Sequence, residues 1–298
     1  GLRRGQGSES PMSDKNGQDA NHHHEHEPDG HERRAPACEN RQRKILTIRS
    51  FSGLSGDMLC CGLGYAWLEE QNLQPSSAEG DKAINDMAGA IMPVLAGTIG
   101  IKRKLVNGIG GCHLRVDLPH AHGHRTPGDI NDIITRSSLD DRAKTLSRQC
   151  VSLLAKCEAA VHGKSVDEVH FHEVGALDSI LDICLACALY ARLGIDALVC
   201  SPLPLADGCI NCAHGALPAP APAVLALLPG ARVKSFGLEN AGELVTPTAI
   251  AMLHTLGATF GPWPEFYVDS TALVYGSREF AGVPNGAIFA VGRADDNF

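Results

Sequence analysis

The chain has 298 residues and a mass of 31.5 kDa, with 44% hydrophobic and 20% charged residues, enough for one large or two small domains and too much for a peptide module. Its 26 Lys+Arg against 34 Asp+Glu leave a formal net charge of −8. That balance argues against a broad basic surface for nucleic-acid phosphates and favours cationic ligands.

The average hides a division. Residues 1–44 hold a single Leu, no Ile, Val or aromatic residue, and equal numbers of acids and bases, so they cannot bury a core. The negative excess therefore belongs to residues 45–298. In the first segment His22, His23, His24, His26 and His31 mix with Glu25, Glu27 and Asp29. Such a cluster can hold a divalent transition metal loosely through imidazole, but loose binding is weak evidence for function and a solvated tail is the better explanation. Eleven Cys in a chain of this length read as reduced thiols rather than a disulfide scaffold. No apolar N-terminal region resembles a signal peptide, and the longest apolar stretch, Ile183 to Cys200, is interrupted by Arg192 and Asp196. A cytoplasmic protein off the membrane is expected.

In chain order, Arg43 to Ile48 reads as a strand, Phe51-Ser-Gly-Leu-Ser-Gly-Asp-Met58 as a Gly-rich loop, and the apolar run to about Glu70 as a helix. The loop offers backbone N–H groups and a helix N-terminus to an anion, with Ser55 as N-cap, yet its spacing is neither a P-loop nor a dinucleotide fingerprint. A helix over about 80–90 precedes a hairpin in which Val94 to Val106 and Cys112 to Leu118 flank Asn107 to Gly111. His120, His122 and His124 then alternate in a loop ending at Pro127, and a helical pattern runs from near Asp129 to His162 with a break at Ser137 and Ser138.

The densest chemistry lies in Val169 to Asp182. If 169–174 is extended, His170 and His172 share one face and Phe171 takes the other; if 176–193 is a helix, Asp178 and Asp182 stand one turn apart. Beyond it, Ile195 to Ser201 reads as a strand, Cys209 to Gly215 as a turn or strand end, and a short helix to Leu228 follows the entry prolines 218, 220 and 222. Gly242 to Thr248 leads a helix through His254, and strands near 265–275 and 286–292 close the chain without an internal repeat. This mixture, lacking a clean β/α alternation, indicates an α+β fold with a mixed sheet and several packed helices; a three-layer α/β fold is the alternative. A subdivision of residues 45–298 falls near 195–205.

Two imidazoles, the nearby Glu173 and a helical carboxylate pair suit Mn, Fe, Co, Ni or Zn better than Ca, although a buried polar network satisfies the same residues. The alternating His120, His122 and His124 fit a metal, a phosphate or a plain surface loop. Cys184-x-x-Cys187 falls in an apolar helix and reads as core thiol, while Cys209, Cys212 and His214 lack a fourth ligand for zinc. There is no Gly-x-Ser-x-Gly elbow and no P-loop. Residue patterns reach an α+β protein with a divalent-metal site.

Five segments carry a resemblance further: Phe51 to Met58, Ala160-Val-His-Gly163, Glu168 to Asp182, His214-Gly-Ala-Leu-Pro-Ala-Pro-Ala-Pro222, and Gly242-Glu-Leu-Val-Thr-Pro-Thr248. From about Ile45 to Gly292 the chain resembles the N-terminal part of the LarC family of nickel insertases. It departs from that family at Arg49, where an acid is usual, and at Ala249, where Gly is usual. The resemblance implies insertion of Ni(II), as substrate, into pyridinium-3,5-bisthiocarboxylic acid mononucleotide, with CTP consumed and Mn(II) or Mg(II) accompanying it. The CTP site belongs to a C-terminal part of the family without counterpart before Phe298.

On this resemblance His170, His172, Glu173, Asp178 and Asp182 form the nickel site, with His170, His172 and Asp178 in catalytic roles and His120, His122 and His124 as delivery ligands. Ser52, Gly53, Ser55, Gly56 and Asp57, together with Thr246 and Thr248, hold the mononucleotide phosphate, and His214 faces the same cleft. Exchangeable imidazole and carboxylate donors suit an ion that must be released to two sulfurs and a carbon. The competing expectations are a non-catalytic nickel-delivery protein and a metal-dependent hydrolase. Neither a homo-oligomer nor a monomer is indicated.

Overall fold

A computed structural model describes residues 42–118, 125–171, 174–212, 215–239, 241–278 and 283–295. The elements run β1 (Arg43–Ser50), α1 (Gly56–Glu70), α2 (Ala78–Ile91), β2 (Ile99–Val106), β3 (Ile109–Val116), α3 (Pro127–Arg136), α4 (Asp141–His162) and α5 (Leu177–Leu193). They continue with β4 (Ala197–Cys200), β5 (Leu203–Asp207), β6 (Cys209–Cys212), β7 (Gly215–Pro218), α6 (Pro222–Leu227), β8 (Val233–Glu239), α7 (Pro247–Thr255), β9 (Thr259–Phe260), β10 (Tyr267–Tyr275) and β11 (Gly286–Ala294).

Seven strands form one sheet in the order β2-β3-β10-β11-β1-β4-β9. β1, β4 and β9 are mutually parallel, whereas β11 runs antiparallel to both β1 and β10, so the ladder is mixed and the fold is α+β rather than three-layer α/β. In β1 the run Ile45-Leu46-Thr47-Ile48 is buried without alternation, as expected of a central strand hidden on both faces. Its one polar side chain, Thr47, is satisfied by donating to the Val199 carbonyl at 3.0 Å.

Helix α1 lies against β3, β10 and β11, α5 packs behind α1, and α4 packs behind α5. Between two layers a helix has no wet side, which is why both α1 and α5 are apolar nearly all round. α5 and α4 each stop at a left-handed glycine, Gly194 and Gly163. No helix among the described residues is long and apolar enough to cross a membrane.

Two expectations about the hairpin need correction. β2 begins at Ile99 rather than Val94, because Pro93 opens a short 3-10 turn over Pro93–Leu95. The turn is the pair Asn107-Gly108 alone, both with positive φ, so Ile109 to Gly111 belong to β3. The parallel pair β5/β8 and the hairpin β6/β7 are separate two-stranded sheets, and β8 has no counterpart in the sequence pattern.

Candidate functional site

The carboxyl end of β1 is where distant segments meet. Ser50 donates its N–H to Ser201 Oγ at 3.0 Å and its hydroxyl to the Gly53 carbonyl at 2.7 Å, closing the turn into the Gly-rich loop. Leu54 N–H donates to the Leu244 carbonyl and Thr246 N–H to the Leu54 carbonyl, both at 3.0 Å, so the loop is zipped to the segment that starts α7. Gly53 is required by this closeness, since a Cβ there would stand 2.6 Å from the Leu244 carbonyl oxygen. Ser52 is buried, and its hydroxyl donates to the Pro284 carbonyl at 2.6 Å. Thr246 caps α7 by accepting from Ala249 N–H at 3.2 Å, with Thr248 in the first turn.

The same loop delivers α1 onto α5. A Cβ on Gly56 would overlap the Asp182 carboxylate, so the two helices touch where Asp182 stands. Asp57 lies in the first turn of α1 and accepts from the Ser55 hydroxyl; Ser55 sits at the N-cap but makes no capping bond with its side chain, contrary to the role expected of it. Asp178, exposed in the first turn of α5, accepts from Ser179 N–H at 2.8 Å, and Asp182 follows one turn later on the same helix, as expected. Burial, then the Asp57 and Asp178 charges, push the Asp182 carboxyl well above the usual range, so it retains a proton where an ordinary carboxyl has lost it. Cys60, on α1, donates to the Asp182 carbonyl at 3.2 Å, and burial raises its own pKa. Sequence reasoning passed over Cys60, although its spacing of three from Asp57 puts both on one side of a helix.

His170 is exposed between buried Val169 and Phe171, the alternation expected of an extended run. Phe171 N–H donates to the Arg125 carbonyl at 3.0 Å, which ties this run to the start of α3. There the hydrogen bonds from Thr126, followed by the charge of Arg125 and then His170, hold the Asp129 carboxyl below the usual range. His120, His122, His124, His172, Glu173 and His214 lie outside the described residues. Among the described residues no group of three or more His, Cys, Asp and Glu is placed to hold a metal ion. Cys184 and Cys187 are buried, as core thiols should be.

This arrangement can be set beside known proteins. A family model described as nickel insertion protein matches residues 46–296. The chain is 34% identical over 237 residues to a pyridinium-3,5-bisthiocarboxylic acid mononucleotide nickel insertion protein of Staphylococcus epidermidis, covering 80% of this chain and 56% of the relative. It is 37% identical over 253 residues to a protein of the same description in Desulfitobacterium hafniense, covering 85% and 59%. The chain thus spans less than two thirds of the length of these relatives. No solved structure matches it significantly. A match running through every segment that meets at the end of β1 makes the chain a member of the LarC family of nickel insertion proteins.

Proposed function

We propose that this chain carries the nickel-handling part of an enzyme that inserts Ni(II) into pyridinium-3,5-bisthiocarboxylic acid mononucleotide. The observation that carries the reading is the meeting of the Phe51–Met58 loop, the Thr246 helix start and the Asp178/Asp182 helix beyond the carboxyl end of β1. Insertion forms a nickel–carbon bond and breaks a ring C–H bond, so a base must take that proton. His170 and Asp178 are both exposed and suited to it. An arriving dication would favour the ionised form of Asp182, whose pKa burial and the neighbouring charges raise, making it a carboxylate donor when the metal is present. His172, Glu173, His120, His122 and His124 complete the donor set in this reading, and the half-buried Ser55, Asp57, Thr246 and Thr248 face the nucleotide, to which His214 is also assigned.

CTP and its Mn(II) or Mg(II) belong in this reading to the C-terminal part of the family. The described residues offer no three-donor group to such an ion. A second reading of the same imidazole and carboxylate donors is nickel binding and delivery without catalysis. Calorimetry of Ni(II) with the chain and with His170→Ala/His172→Ala tests the donors, since unchanged affinity would refute them. Incubation with the mononucleotide, Ni(II) and CTP, followed by mass spectrometry with and without the C-terminal part, separates insertion from delivery.

A further inference from the structure

One residue holds the chain at two places on its way into α5. The Arg125 carbonyl accepts the Phe171 N–H at 3.0 Å, and the Arg125 guanidinium donates through Nη1 to the Gly175 carbonyl. Main chain and side chain of a single arginine, 50 residues from Gly175 in sequence, thus grip both ends of residues 171–175. Gly175 is buried, so its carbonyl has lost water and needs a donor from the protein. A charged donor makes the stronger kind of hydrogen bond.

Arg125 is itself anchored. The next residue, Thr126, caps α3: its hydroxyl accepts from Asp129 N–H at 3.1 Å, while the Asp129 carboxylate accepts Thr126 N–H at 2.8 Å. Ile130 and Ile134 of that helix are fully buried, so α3 is a fixed base for the grip. By contrast α5 starts without a side-chain cap, because Ala176 stands at its N-cap and has no oxygen to offer. The placing of its first turn falls to the residues that lead into it. His170, just before the first grip, and Asp178, just after the second, are both exposed.

We infer that Arg125 is a positioning residue for the proposed nickel site: by clasping Phe171 and Gly175 at once it fixes His170 relative to Asp178 at the start of α5. Removing the guanidinium leaves the Gly175 carbonyl buried without its partner, and the entry to α5 loosens until water reaches it. A single bond to a carbonyl calls for a long cation rather than a guanidinium fork, so lysine can take the place of this arginine. The roles of His170 and Asp178 rest on the nickel reading; the clasp does not, so either can fail alone.

The test joins hydrogen exchange read by mass spectrometry to calorimetry with Ni(II) alone. In Arg125→Met the amides of residues 174–180 exchange faster by about tenfold or more, those of α4 and β1 keep the parent's rates, and Arg125→Lys restores slow exchange. Ni(II) affinity falls by about tenfold in Arg125→Met and stays within about threefold of the parent in Arg125→Lys. Because Arg125 acts through the residues it places, its loss costs only about threefold or less in a His170→Ala background, whereas a general loosening of the fold would cost the same in both. Unchanged exchange of residues 174–180 in Arg125→Met overturns the clasp, as does faster exchange throughout the molecule in both Arg125 variants. A His170→Ala chain that binds Ni(II) more weakly beside an Arg125→Met chain that does not, or a full tenfold loss repeated in the His170→Ala background, overturns the positioning role. Equal Ni(II) affinity in the parent and His170→Ala refutes the nickel reading instead, and the exchange rates still decide the clasp.

Discussion

Replacing Asp182 by Asn keeps the side chain's shape and removes its ionisation. In the native chain burial and the Asp57 and Asp178 charges raise the Asp182 pKa well above the ordinary 3.8. Between that value and the raised one, the folded protein binds more proton than the unfolded chain. The stabilisation is complete below the unfolded pKa and is lost as pH rises through the folded one, with a slope of up to about 1.4 kcal/mol per pH unit from this group. The D182N chain has no such slope, so its stability relative to the parent grows as pH rises across the window. His113 acts with the opposite sign, because burial and then Lys104 lower its pKa and stability is lost as pH falls below its ordinary 6.5; this contribution is common to both chains and cancels in the difference. Urea unfolding followed by circular dichroism from pH 5 to pH 8 reads the difference, with equal m-values as the check that the unfolded states match. Parallel pH profiles for the two chains would refute the raised Asp182 pKa.

Three further outcomes follow from packing. Gly62→Ala on α1 sets a Cβ into the Phe289 ring and lowers stability by about 1–3 kcal/mol, readable as a fall in Tm, while Phe289→Ala leaves a cavity at a fully buried site and costs about 3–5 kcal/mol. Thr246→Ala removes the cap of α7 and costs about 1 kcal/mol, with Thr246→Ser recovering most of it in the same unfolding assay. Labelling of the native chain with an aromatic disulfide near pH 8 leaves Cys60, Cys61, Cys112, Cys150, Cys157, Cys184, Cys187 and Cys200 unmodified, since all eight are buried, while exposed Cys209 reacts at once. Rapid native modification of Cys184 or Cys187 would contradict the packing of α5 between α1 and α4.

What could be read along the chain was whatever is encoded locally. The helices α3, α4 and α5 show in their periodicity and their caps, such as the Thr126/Asp129 box and the glycines that stop α4 and α5, because these interactions span only a few residues. The one-turn spacing of Asp178 and Asp182 and the alternation of Val169, His170 and Phe171 are local in the same sense. β8 escaped notice because Val233 to Glu239 shows no apolar alternation, and the start of β2 was misjudged because Pro93 cuts an apolar run that otherwise looks continuous. Strand order and the contact of Gly56 with Asp182 needed the folded chain. Cys60 and Asp182 are 122 residues apart, and no pattern within either segment reports that they touch. The sequence alone pointed to the family; the tertiary structure decided which side chains acquire unusual chemistry, because the raised pKa of Asp182 is a consequence of desolvation and neighbouring charge, which exist only once α1 packs on α5.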